Sequence, residues 1–353
     1  MSLIRLPGLI DPHVHLREPG GTHKEDFETG TAAALAGGFT AVLAMPNTNP
    51  PLTDAESLDL AKRAGRARAR CDYGIFLGAG ADNLATAAGL AAQVCGLKMY
   101  LDQTYGPLRL EGLAPMLDHV QAWPADRPIA AHAESRNLAA LLLLAALRDR
   151  PLHICHVSLR EEILLIRAAR EHGLRVTCEV APHHLFLSET DVPSIGAGRS
   201  EVRPRLATAH DVQALWDNLE VIDCFATDHA PHTLAEKHGP SPSPGFPGLE
   251  TALGLLWTAV HARRLTQEDL VRRMYTNPRR IFGLPQQSET FVELDPEAGW
   301  EVRAAELHSR CGWTPFEGRR LRGRVRRVVL RGQLAFEDSR VLAVPGSGRD
   351  LFP

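Results

Sequence analysis

Four histidines, one lysine and one aspartate stand at the ends of short apolar runs. His13 and His15 close one run (LIDPHVHL), Lys98 another (GLKMY), His132 and His156 two more (IAAHAE and HICHVS), and Asp228 the last (FATDHAPH). Side chains alternate along an extended segment, so His13 and His15 project to the same side. Neutral imidazole and carboxylate suit zinc, and suit manganese or nickel less well. A single buried histidine is ordinarily a core residue, but four of them with a carboxylate, all at run ends, form a ligand pattern. Lys98 does not fit that set as an ammonium, which repels cations. Its deprotonated amine can add carbon dioxide to give a carbamate, an anionic ligand able to bridge two metals, and arginine cannot do this. Lysine occurs only as Lys24, Lys62, Lys98 and Lys237 among 39 basic residues. The alternative is a Lys98–Asp228 ion pair.

Other residues cluster beside these. Arg17 lies two positions past His15, points the same way, and offers a planar fork for a carboxylate. Asn47 (AMPNTN) and His232 (DHAPH) also follow run ends. Arg203 (EVRPRL) and the Pro244-Gly245 turn lie in later loops, Arg203 as a ligand contact or a loop brace. Residues 101–110 (LDQTYGPLRL) carry Thr104, Tyr105 and a Gly106-Pro107 pivot; they read as a mobile lid or as an ordinary connection. Cys155 and Glu179 could hold a third zinc, although in a regular strand Cys155 faces away from His156. The alternative is a core thiol and a buried polar brace. His183 and His184 read as supports for the site or as structural residues.

The elements that must position these groups follow from the pattern. Strands are expected at 9–16, 40–45, 72–77, 97–101, 128–133, 153–157, 175–180 and 222–227, with helical stretches between them. Ser158 with Glu161, and Thr53 with Glu56, match capping boxes, and His172-Gly173 matches a helix stop. Eight strands alternating with helices predict an α/β fold, a (β/α)8 TIM-like barrel whose active-site mouth lies at the strand C-termini. A doubly wound sheet is the runner-up, but the glycine-rich loop it wants after the first strand is missing. Residues 1–289 are assigned to the barrel and 290–353 to a small β-rich appendage. Seven arginines within 319–331 read as the charged face of an edge strand, or else as an assembly surface. Residues 240–247 (PSPSPGFP) read as a stiff loop at the barrel mouth.

Composition sets the bounds. The 353 residues are 44% hydrophobic and 23% charged, with a net charge of −3, which gives no footprint for a nucleic acid. The ten-residue apolar run 138–147 is too short to span a membrane, and the N-terminal segment has no signal-peptide core. Six cysteines without a C-x-x-C pair suit a reducing cytoplasm.

Two segments resemble a known family. Residues 11–20 (DPHVHLREPG) are similar to the first dihydroorotase signature, and 226–232 (ATDHAPH) followed by Lys237 to the second. The resemblance runs through essentially the whole chain, within the wider amidohydrolase class. It is strongest to the domain that animals fuse to carbamoyl-phosphate synthetase and aspartate transcarbamoylase. Only a short segment precedes Asp11, which suggests a domain within a larger polypeptide. The resemblance implies two zinc ions. One would be held by His13, His15, N6-carboxylated Lys98 and Asp228, the other by Lys98, His132 and His156, with a bridging hydroxide as nucleophile. It implies reversible closure of N-carbamoyl-L-aspartate to L-dihydroorotate in pyrimidine synthesis, with Asp228 as general acid and base. Arg17, Asn47 and His232 would then bind the substrate carboxylate, while Arg203, Pro244 and Gly245 contact the ring. A homodimer is expected by analogy. The alternatives are a hydantoinase- or dihydropyrimidinase-like amidase, which needs no acidic clamp, and a non-catalytic scaffold, which would usually lose ligands.

Overall fold

The structure is a computed structural model and describes residues 3–353. β1 (Ile4–Pro7) opens the chain. β2 (Leu9–Val14), β3 (Phe39–Ala44), β4 (Asp72–Gly78), β5 (Gly96–Tyr100), β6 (Ile129–His132), β7 (Leu152–Ile154), β8 (Val176–Val180) and β9 (Cys224–Phe225) then form one parallel sheet in sequential order. Helices lie between most of these strands, giving the expected (β/α)8 barrel. Every residue of β2 through β7 is buried, because helices cover one face and the barrel interior fills the other. The seam between β9 and β2 closes past the strand ends. Val14 pairs in parallel with His229, and the His15 amide donates to the His229 carbonyl at 2.7 Å. Asp11 strengthens the seam by accepting from the Thr227 hydroxyl at 2.5 Å and from the Thr227 amide at 3.1 Å. The first and last strands therefore deliver His13 and Asp228 from one hydrogen-bonded unit.

The second sheet is antiparallel, in the order β1–β10–β11–β12–β13, where β10 is Phe291–Glu301, β11 Arg320–Leu330, β12 Gln333–Glu337 and β13 Arg340–Val341. The small sheet thus takes one strand from the N-terminus and four from the C-terminal segment. The arginine-rich segment is not an edge strand as expected, since β11 pairs on both sides. Its arginines reach acidic residues on the neighbouring strands: Arg326 meets Asp295 at 3.2 Å, and Arg327 meets Glu293 at 3.2 Å and Glu337 at 2.7 Å. Charge that would protect an edge is here matched across the ladder.

Both expected capping boxes sit one residue off. Asp54, not Thr53, caps helix Ala55–Arg68 by accepting from the Ser57 amide. Glu162, not Glu161, accepts from the Ser158 and Leu159 amides at the start of helix Arg160–Glu171. That helix ends as expected, with Gly173 at φ 85°.

Candidate metal centre and substrate cavity

All six expected ligand positions are buried. His132 is the last residue of β6 and Lys98 the middle of β5, whereas His13 lies one residue short of the end of β2 and His15 just past it. His156 and Asp228 lie beyond their strands, at φ 32° and 46°. These left-handed conformations turn the chain sharply after β7 and β9. For that reason Cys155 does not face away from the site as a regular strand would require. β7 stops at Ile154, and the Cys155 Sγ lies 2.8 Å from Lys98 Nζ.

The hydrogen bonds fix which imidazole nitrogens are free. Glu179 faces His13 Nδ1 at 2.5 Å and Asn47 Oδ1 faces His15 Nδ1 at 2.7 Å, so both Nδ1 atoms carry the proton. The Asn47 orientation is pinned by its amide donating to the Tyr105 carbonyl at 3.0 Å. Each ring then presents an unprotonated Nε2, and both point at one Asp228 oxygen, at 3.2 and 3.1 Å. Three acceptors converge with no donor between them, which is the arrangement a cation completes. Burial, helped by the Lys98 charge, pushes His13 down to about 4, and burial next to Arg17 holds His15 well below its ordinary value, so both rings stay neutral. Across the site, Glu134 accepts from His132 Nε2 at 3.1 Å, and His132 Nδ1 faces His156 Nε2 at 3.0 Å. His156 Nδ1 is buried without a partner.

Lys98 is completely buried. Its hydrogen-bond partner among the described residues is the Cys155 thiol, and no Lys98–Asp228 ion pair forms. A buried ammonium without a counter-ion is costly, whereas a carbamate between cations is not. His13, Cys155 and Glu179 form a second possible ligand group that shares His13. Both Glu179 oxygens are occupied, the second by His153 Nε2 at 3.1 Å.

A small cavity opens on this cluster and is lined by Arg17, Asn47, Thr104, Tyr105, Arg203, Pro244 and Gly245. Arg17 donates through Nε to the Pro231 carbonyl at 3.1 Å, and its Nη1 is buried with no partner. Arg203 donates to Glu201 at 2.8 Å, so it braces its loop as well as lining the cavity. His232, completely buried, reaches the Pro244 carbonyl at 3.0 Å. Gly245 meets a steric requirement, since a Cβ there would stand 2.4 Å from the Ala230 carbonyl oxygen. Residues 101–112 contain no regular structure, and Tyr105 lies edge-on against His232 with ring centroids 4.9 Å apart. His183 and His184 are buried, and three of their ring nitrogens have no partner.

Glu134, His153 and Lys24 are partners of the site beyond the expected residues. The first two carry no local signal. Lys24 carried one, as one of only four lysines, all of which are buried. Lys237 donates to the carbonyls of Glu201, Ser243 and Gly245 at 2.7, 2.8 and 3.1 Å and so ties two cavity loops together.

A barrel of this topology, with histidines and a carboxylate gathered at its C-terminal mouth, has the architecture of the amidohydrolase class. L-Hydantoinase (dihydropyrimidinase) from Arthrobacter aurescens superimposes with a TM-score of 0.94 over 99% of this chain and 89% of that one, at 24% identity, a likeness of fold alone. The inactive dihydroorotase-like domain of the Chaetomium thermophilum CAD-like multifunctional protein superimposes with a TM-score of 0.86 over 99% of this chain and all of that one, at 31% identity. A dihydro-orotase-like family profile matches residues 3–97. The multifunctional protein CAD of Squalus acanthias is 57% identical over 99% of this chain, which spans 16% of that protein's length. The dihydroorotase of Pyrococcus furiosus is 35% identical over 98% of this chain and 84% of its own length. The chain belongs to the dihydroorotase family.

Proposed function

We propose that this chain is a dihydroorotase that interconverts N-carbamoyl-L-aspartate and L-dihydroorotate in pyrimidine synthesis. The observation that carries the reading is Arg17, a buried guanidinium on the cavity wall with one nitrogen unpartnered. Such a group calls for a carboxylate. Dihydroorotate has one, and a neutral hydantoin has none. We assign one zinc ion to His13, His15, Lys98 and Asp228 and a second to Lys98, His132 and His156, with Lys98 as N6-carboxylysine; Cys155 and Glu179 are the candidate ligands for a third. When bound, these ions would polarise the substrate carbonyl and acidify a water molecule.

The protein's own groups do the rest. Arg17 and Asn47 hold the substrate carboxylate, with His232 beside Arg17 at 2.9 Å to complete that wall of the clamp, and Arg203 with the Pro244-Gly245 backbone orients the ring. Asp228 accepts the proton of the attacking water and passes it to the ring nitrogen as the carbon–nitrogen bond breaks, and closure runs the same transfers backwards. Thr104 and Tyr105 cover the cavity and exclude bulk water. The converging histidine and aspartate acceptors also argue against a non-catalytic scaffold.

Residues 1–289 and 290–353 are the proposed units, although β1 is lent to the small sheet and the last residues pack on the barrel. Relatives that are parts of multifunctional proteins suggest fusion to, or association with, other pyrimidine enzymes. A homodimer is proposed, with Leu143 and Leu147 exposed at 60% and 66% on helix Ser135–Leu147 as candidate contacts. All six cysteines are unpaired, which suits the cytoplasm, and among the described residues no helix is long and apolar enough to cross a membrane.

The test follows both directions of the reaction on protein of measured metal content, with Lys98→Ala and Asp228→Ala alongside. The expected result is two-way turnover by the wild type with about two zinc ions, and no turnover by either variant. A metal-loaded wild type that opens neutral hydantoins and ignores dihydroorotate would overturn the substrate assignment.

A further inference from the structure

Lys24 stands outside every role assigned above, yet it is buried against the substrate cavity. Its ammonium has three hydrogens and meets three acceptors: Glu236 Oε1 at 2.7 Å, the Tyr105 hydroxyl oxygen at 3.0 Å and His232 Nδ1 at 3.2 Å. Three diverging donors on one nitrogen are a property of lysine, and a planar guanidinium could not reproduce them. In a chain that otherwise uses arginine for positive charge, the residue type matches the geometry.

The contact to His232 has a consequence for the carboxylate clamp. An ammonium has no lone pair, so His232 Nδ1 must accept. Burial, with Arg17 and Lys24 close by, holds His232 far below its ordinary value, so the ring carries one proton. That proton sits on Nε2, where it donates to the Pro244 carbonyl at 3.0 Å. Arg17 Nη2 lies 2.9 Å from the same Nε2 and cannot use it as an acceptor, while Arg17 Nη1 has no partner among the described residues. The outer edge of the guanidinium is therefore left open for an anion. With the other tautomer, Nε2 would accept from Arg17 and satisfy the clamp internally. The third donor of Lys24 meanwhile ties down Tyr105, whose ring packs on His232 and lies 5.0 Å from the Arg17 guanidinium carbon.

We infer that Lys24 is a positioning residue: it fixes His232 as the Nε2–H tautomer, which keeps Arg17 free for the substrate carboxylate, and it latches the Tyr105 lid over that carboxylate. The inference rests on the dihydroorotase reading for the identity of the anion.

The test combines ring-¹⁵N spectra of the metal-loaded enzyme with kinetics of Lys24→Met and Tyr105→Phe. The His232 signals are assigned by their loss in His232→Asn. Wild type is expected to show His232 protonated on Nε2 alone. Lys24→Met should lose that single tautomer and raise KM for dihydroorotate about tenfold or more, the worth of a hydrogen bond to a charged group, with a much smaller change in kcat. Tyr105→Phe should keep the tautomer and raise KM more modestly. Protonation of wild-type His232 on Nδ1, or an unaltered tautomer in a folded Lys24→Met, overturns the inference. An unchanged KM in Tyr105→Phe overturns the latch. If wild type does not turn over dihydroorotate, the functional reading fails, and the ring spectra still decide the role of Lys24.

Discussion

Glu179 illustrates how much of the site depends on residues that touch no proposed substrate. Its carboxylate faces His13 Nδ1 at 2.5 Å and His153 Nε2 at 3.1 Å, and His153 Nδ1 reaches the Thr177 hydroxyl at 2.9 Å. Burial alone would raise Glu179, but His13 and the two hydrogen bonds hold it well below the ordinary carboxylate range, so it stays anionic. An anion behind an imidazole makes the far nitrogen a stronger ligand. Glu179→Gln keeps an acceptor for one histidine but turns an amide donor toward the other. Metal affinity should fall about 10–100-fold, read by competition with a chelator, and turnover should fall with it. Unchanged metal retention would mean that Glu179 is only a packing residue. The proposed ligands were legible in sequence because each lies at or near the end of an apolar run, which the barrel gathers at one mouth. Their supports were legible only in part: Glu179 stood out as a third-zinc ligand or a buried brace, but its partners His153 and His13 lie 26 and 166 positions away, and only the closed fold brings them to it.

At the level of elements, the eight barrel strands could all be read from the sequence because their apolar runs are continuous and helical stretches separate them. What escaped depended on tertiary partners. The strand β11 looks like an edge when its arginines are counted alone, and becomes interior once Glu293 and Glu337 flank it. The turn at His156 breaks the alternation that would have hidden Cys155. The segment 101–112 is the element whose function is most exposed to test. It has no regular structure, yet Tyr105 is tied through its hydroxyl to Lys24 and through its carbonyl to Asn47, and Thr104 lines the cavity. A loop held by a few polar contacts over the site can open at small cost and close on substrate. Thr104→Ala should lower kcat about tenfold, one lost hydrogen bond in the closed state, while bound metal stays the same. An equal kcat in the variant would reduce the segment to a simple connection.

Over the whole molecule, the far C-terminal residues belong physically to the barrel. Tyr73 in β4 exchanges hydrogen bonds with the Arg349 carbonyl at 2.9 Å and the Leu351 amide at 2.8 Å, so the tail lies alongside β4 like a short added strand. Phe352 packs into a buried cluster with Leu43, Phe76 and Phe282. Buried Lys62 holds the tail from the other side, through the Phe352 carbonyl at 2.6 Å and Asp350 at 3.3 Å. None of these residues lines the cavity that opens on the histidine cluster. The tail therefore carries stability, whereas the segment around Trp313, whose indole donates to the His232 carbonyl at 2.7 Å, connects the C-terminal part to the site. Phe352→Ala removes a nearly buried aromatic ring from a packed cluster and should lower the unfolding free energy by about 3 kcal/mol. The measurement is the urea midpoint, which should fall while kcat and KM at moderate temperature match the wild type. A loss of activity without a shift in the midpoint would mean that the tail acts on the site across the barrel, and that stability and catalysis are not divided between the two ends as the contacts indicate.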